Sequence, residues 1–164
     1  MKPKIKLNRR QLLIFASSAL ANSPLIALAG KNVSDIHVIK NPQCGCCSAW
    51  IKILTDKGFN VTMEDRSSDL LVEFKIESGV PPNMMACHTA NIGGYFIEGH
   101  VPAIDIKRLI SERPDALGLA VPGMPYGSPG MGPEEEREAY DVFIVGSNGA
   151  AEVFQHYPKA GIPV

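Results

Sequence analysis

Acidic residues are absent from the first 34 positions of this 164-residue chain, and basic residues are outnumbered after them. Lys2, Lys4, Lys6, Arg9 and Arg10 take five of the 16 Lys and Arg, so 11 remain against all 17 Asp and Glu, a net charge of −6 with histidine neutral. A surface that acidic argues against nucleic acid and anionic membranes as partners and suits cations, metal ions included. Past Ala29 no apolar run approaches the roughly 20 residues that a membrane-crossing helix needs, so no span is expected there. No segment repeats. Cysteine is also scarce: there are four, Cys44, Cys46, Cys47 and Cys87, and three of them fall within four residues.

The N-terminal segment reads as an address rather than as part of the fold. After the basic residues, an apolar stretch from Leu12 to Leu28 is broken by Asn22, Ser23 and Pro24. It ends in Ala27-Leu28-Ala29, a small-x-small cleavage signature. It is too short and too interrupted for an anchor. Asn8-Arg9-Arg10-Gln11-Leu12-Leu13 resembles a twin-arginine export signal. Residues 1–29 are therefore expected to be a signal peptide and residues 30–164 a single exported domain, periplasmic in a Gram-negative bacterium.

Within that domain, Asp35-Ile36-His37-Val38-Ile39-Lys40 is a β-branched run stopped by Asn41-Pro42, which predicts a strand. Ala49, Trp50, Ile53 and Leu54 recur at helical spacing up to Gly58. Residues 59–64 alternate as a second strand, and 68–77 read as a helix closed by Gly79. Val80-Pro81-Pro82 breaks the chain before a third strand over 84–90, a turn at 91–94 and a hairpin partner at 95–98. Pro102 then opens a helix that runs to Ser111. The order β-α-β-α-β-β-α marks an α/β protein and resembles the thioredoxin fold. In that fold the cysteine turn occupies the active-site position, and Val80-Pro81 or Pro81-Pro82 stands where thioredoxin-like proteins keep a cis-proline. From Gly118 to Pro133 the chain is dense in glycine and proline, uncharged, and carries Met124 and Met131. Such composition is that of a disordered loop, yet long structureless loops in compact domains are usually functional. A short helical turn over 134–140 and a β-hairpin, 141–145 with 151–155, complete the domain.

The turn Asn41-Pro42-Gln43-Cys44-Gly45-Cys46-Cys47 carries the chemistry. Two disulfides are the ordinary fate of four exported cysteines, and Cys44–Cys47 with Cys46–Cys87 is sterically plausible, but a chain of this size does not need such staples. Cys44 and Cys47 have the C-x-x-C spacing of a redox dithiol, at a helix start that stabilises thiolate. That reading makes the protein a thiol–disulfide oxidoreductase. The interposed Cys46 would trap such a pair in unproductive disulfides, whereas three thiolates on one turn suit a soft ion, Cu(I) first, with zinc and iron–sulfur as rivals. Any zinc would be structural, since no water position or base accompanies the cysteines. Cys87 is expected opposite as the fourth sulfur, and Met124 and Met131 as thioether caps of second rank. Strand alternation puts Met85 and Thr89 on the face of Cys87 and His88 on the other, which leaves His88 a secondary candidate beside the reading of a satisfied or surface histidine. His37, His100 and His156 are scattered and read as structural. Four thiolates around several Cu(I) ions would bridge them, which makes a multinuclear site chemically reasonable.

Cys44-Gly45-Cys46-Cys47, Met85-Ala86-Cys87-His88-Thr89-Ala90, Gly94-Tyr95 and Glu98-Gly99-His100-Val101-Pro102-Ala103 together resemble the CopG-like family of periplasmic copper-resistance proteins. So does the run from Gly118 through Met131. The likeness extends from about Ile36 to Tyr157. It implies a thioredoxin-like fold, copper held by Cys44, Cys46, Cys47 and Cys87, and a role in copper resistance beside other periplasmic copper-handling proteins.

Overall fold

Residues 34–161 are described here by a computed structural model; the expected signal peptide, residues 1–29, lies outside them. The chain runs β1 (Asp35–Lys40), α1 (Gly45–Asp56), β2 (Asn60–Asp65), α2 (Ser68–Glu77), a 3-10 turn (Pro82–Met84), β3 (His88–Ile92), β4 (Tyr95–Glu98) and α3 (Ala103–Glu112). It continues with β5 (Ala116–Ala120), a second 3-10 turn (Glu134–Glu136), β6 (Tyr140–Gly146) and β7 (Ala151–Tyr157). All strands join one sheet in the order β2-β1-β3-β4-β5-β6-β7. β1 pairs parallel with β2 and antiparallel with β3, and β3 antiparallel with β4. The protein is a mixed α/β thioredoxin-like fold extended by three strands. No helix among the described residues is long and apolar enough to cross a membrane.

Period-two alternation divides the core between the two faces of the sheet. Ile36, Val38, Ala90, Ile92, Ile97 and Leu119 share one cluster with Trp50 and Leu54 of α1 and Ile106 and Leu109 of α3. Phe96, Ala120 and Val145 belong to the other, with Val80 and Met84. Trp50 is wholly buried and donates its Nε1–H to the Val101 carbonyl at 2.9 Å, tying α1 to the stretch between β4 and α3.

Three details depart from the sequence reading. The third strand starts at His88, four residues later than expected, because Pro82 to Met84 coil into the 3-10 turn and Met84 donates its N–H to the Pro81 carbonyl at 2.8 Å. The described residues contain no cis peptide bond, so Pro81 and Pro82 are both trans; Pro81 is extended and caps that turn. The glycine-rich stretch begins inside β5, which pairs parallel with β4 and antiparallel with β6.

Candidate metal centre

Asn41 shapes the cysteine turn. Its side-chain oxygen accepts the Gln43 N–H and its carbonyl accepts the Cys44 N–H, both at 3.0 Å. Cys44 becomes the extended N-cap of α1, so Cys46 and Cys47 fall in the first helical turn. Backbone N–H groups there lack helical partners and the dipole favours negative sulfur. Cys47 points inward and is wholly buried, and it is disulfide-bonded to Cys44, with Cα atoms 5.4 Å apart. Cys46 and Cys87 are free thiols. The Cys46 Sγ lies 3.4 Å from the Cys44 Sγ.

Cys87 comes from across the turn, immediately before β3, and the Cys47 Sγ lies 3.9 Å from its carbonyl oxygen. The four sulfurs all lie within 4.8 Å of one another. Sulfurs around a tetrahedral metal with bonds of about 2.3 Å sit roughly 3.8 Å apart, a spacing within reach of this cluster once the Cys44–Cys47 bond is reduced. Two histidines flank Cys87: His88 Nδ1 is 3.2 Å and His100 Nε2 is 3.1 Å from its Sγ. The Pro129 carbonyl, 2.8 Å from His100 Nδ1, can only accept. That fixes the proton on Nδ1 and turns the Nε2 lone pair toward Cys87, an arrangement metal-binding histidines commonly use. Burial lowers the pKa of both rings, and for His88 the neighbouring His100 adds to it, so both are neutral donors at pH 7. Burial, and then Cys46, push the Cys87 thiol up to about 12 without metal.

His88 therefore differs from its expected position. Cys87 precedes the strand, which begins at His88, so alternation does not bind it. His88 is wholly buried against Trp50, and His100, also wholly buried, is drawn in beside it. The signal for His100 was present in the sequence. The Gly93-Gly94 turn pairs Ile92 with Tyr95 and Thr89 with Glu98, and two further steps of that register set Cys87 opposite His100. His37 and His156 stay at the surface with Glu64 and Asp141.

The glycine-proline loop packs over this site. Ala86 bridges Gly123, Pro129 holds His100, and Gly130 lies against the first turn of α1. Loop hydrogen bonds such as Gly127 N–H to the Met131 carbonyl and Ser128 Oγ to the Pro125 carbonyl hold it together. Met124 is exposed and Met131 half-buried. Both belong to the loop whose Pro129 holds His100.

The donors fit a soft or borderline metal. Cys44, Cys46, Cys47 and Cys87 form one group, and Cys87, His88 and His100 a second that shares Cys87. Both suit copper, thiolate for Cu(I) and imidazole for either oxidation state. His88 faces Cys87 through Nδ1, and its Nε2 is buried without a hydrogen-bond partner.

Comparison with known proteins agrees with this chemistry. The family described as "Protein of unknown function, DUF411" matches residues 84–131, which span Cys87, both site histidines and Met131. The solved structure described as "Copper resistance protein copG- Form 1" is 46% identical, with a TM-score of 0.71, covering 76% of this chain and 97% of its own. "Copper resistance protein copG- Form 2" is 47% identical, with a TM-score of 0.70, covering 76% of this chain and 98% of its own. No curated protein matches the chain.

Proposed function

The chain belongs to the CopG family of copper-resistance proteins, and on that footing we propose that it holds Cu(I) through the thiolates of Cys44, Cys46, Cys47 and Cys87 in copper resistance. The observation that carries the reading is the closeness of the four sulfurs, all within 4.8 Å. Thiolate density of that kind favours Cu(I) over zinc and accommodates more than one bridged ion. His88 and His100 join on the Cys87 side, and Met124 and Met131 cap the site as thioethers of second rank.

The Cys44–Cys47 bond gives this reading a redox component. In the reduced protein these two thiolates can pass one electron each to two Cu(II) ions, which become Cu(I) as the sulfur–sulfur bond closes. The oxidised form then offers Cu(I) only the Cys46 and Cys87 thiolates with His88 and His100, and four-thiolate binding belongs to the reduced form. Residues 1–29 act as an export signal, and the copper reaches and leaves the site in the periplasm through other copper-handling proteins.

Copper content decides the matter. Reduced protein equilibrated with Cu(I) without oxygen should carry copper at or above one ion per chain, and Cys87→Ser should lower that number. Intact thiols without copper would overturn the reading. Competition between Cu(I) and zinc should leave copper bound. The C-x-x-C disulfide at a helix start favours a second reading, thiol–disulfide exchange by Cys44 and Cys47. It predicts insulin reduction that survives Cys46→Ser. Loss of metal uptake in that variant, with no exchange activity in the parent protein, would exclude it. Fractionation of cells should find the mature chain in the periplasm.

A further inference from the structure

Glu98, at the end of β4, is wholly buried, and so is Lys75 apart from a trace, although Leu71 is the one other residue that α2 buries. Lys75 Nζ donates to Glu98 Oε1 at 2.5 Å and to Thr89 Oγ1 at 2.8 Å. The Thr89 hydroxyl donates to Glu98 Oε2 at 2.5 Å. Glu98 Oε1 also accepts the Ala86 backbone N–H at 2.6 Å. A buried ion pair of this kind is weak support for stability, since desolvation offsets most of the attraction, and apolar replacements are often as stable. Its hydrogen bonds are what single it out.

Every one of them leads to the metal centre. Ala86 is the residue before Cys87, and Thr89 follows His88. Glu98 itself is two residues before His100, separated by Gly99, whose added Cβ would lie 2.8 Å from the Ala86 Cβ and 2.5 Å from the Val121 carbonyl oxygen. Residues 85–87 have no ladder of their own apart from the Ala86 bridge to Gly123. The carboxylate therefore fixes the peptide that presents Cys87, and fixes it relative to the strand end that presents His100. The pair works from the α2 face of the sheet, opposite Trp50 and His88, so it reaches the site without touching a ligand.

We propose that Lys75 and Glu98 are positioning residues for Cys87: the carboxylate, held in place by the ammonium and Thr89, grips the Ala86 N–H and keeps the Cys87 sulfur within reach of the other donors. The proposal rests on the reading of Cys87 as a metal-binding sulfur. It predicts a loss of metal affinity that does not follow from a loss of folding.

The test compares Lys75→Met/Glu98→Leu, which is apolar and removes the acceptor, with Lys75→Met/Glu98→Gln, which is uncharged and keeps it. Affinity is read by competition against a chromogenic Cu(I) chelator, and folding by circular dichroism. Lys75→Met/Glu98→Leu should lose at least tenfold in Cu(I) affinity, and the glutamine version should recover most of it. On a Cys87→Ser background the two should bind alike. Equal affinity for both variants, or a difference that persists without Cys87, overturns the proposal. A measurement on the unaltered metal-free protein guards against misfolded variants: the Ala86 amide should exchange as slowly as those of β3, and exchange as fast as an open loop overturns the proposal. If the unaltered protein takes up no Cu(I), the copper reading alone falls. Alkylation of Cys87 by iodoacetamide then decides, with a rate difference between the two variants upholding positioning and equal rates overturning it.

Discussion

At the scale of single residues, the site is closed by a glycine rather than by a ligand. Gly130 adopts φ of +85°, and a Cβ there would lie 2.8 Å from the Trp50 backbone nitrogen and 3.1 Å from the Cys46 carbonyl oxygen. The obstruction is helix backbone, which cannot swing aside as a long side chain would. Gly130→Ala should therefore lift the loop off α1 at a cost of about 1–3 kcal/mol, for the strained backbone and the lost packing. Chemical denaturation measures that cost, and alkylation of Cys46 should quicken as its cover lifts. Unchanged stability would mean that the loop does not rest on the helix. His100 offers a second test at this scale. Its Nδ1–H bond to Pro129 fixes which nitrogen faces Cys87, so His100→Gln should weaken Cu(I) binding while the four thiols of the reduced protein still titrate in full. Binding equal to that of the parent protein would remove His100 from the site.

At the scale of elements, Trp50 is the clamp between α1, which carries Cys46 and Cys47 and is capped by Cys44, and the turn that leads from His100 into α3. Trp50→Phe keeps most of the buried area but leaves the Val101 carbonyl without its donor. A lost buried hydrogen bond of this kind costs about 1–3 kcal/mol, which thermal melts would register. No change in melting would mean that water reaches the carbonyl. The elements also differ in how far sequence alone revealed them. β1 and α2 were legible to the residue, since a β-branched run met Asn41-Pro42 and a helical pattern met Gly79. β5 was not, because Ala116-Leu117-Gly118-Leu119-Ala120 is made of residues with little preference for strands. Tertiary pairing imposes the strand: Gly118 lies so close to the Phe96 carbonyl that a Cβ would collide with it. The cysteine turn was legible as chemistry because three thiols in four residues admit few uses. His88 was not, since its place depends on where β3 begins and a 3-10 turn moved that point, whereas His100 was legible only through the register of the 93–94 hairpin. The Lys75–Glu98 pair left no local trace, joining residues 23 apart in the chain.

At the scale of the whole molecule, stability should depend on pH through groups distant from the metal centre. Tyr157 donates its hydroxyl to Asp105 at 2.7 Å, tying β7 to α3, and its ring stacks on Tyr140. Burial, foremost, raises the pKa of Asp105, against the bond from Tyr157, which lowers it. A raised carboxyl contributes stability below its unfolded value, near 3.8, and loses it as pH climbs through the folded value. Asp105→Asn should therefore compare better with the parent protein at pH 7 than at pH 4. The tyrosines set the alkaline side. Burial lifts both above the ordinary value of 10, and Asp105 lifts Tyr157 further. Above pH 10 the unfolded chain sheds phenolic protons that the fold retains, so unfolding becomes easier as pH rises. Tyr140→Phe should be nearly neutral at pH 7 and should flatten the fall in melting temperature between pH 10 and 11. Tyr157→Phe should flatten it too, but start lower at neutral pH, because it also severs the bond to Asp105. Parallel alkaline declines in all three proteins would show that neither ring is kept from ionising by the fold.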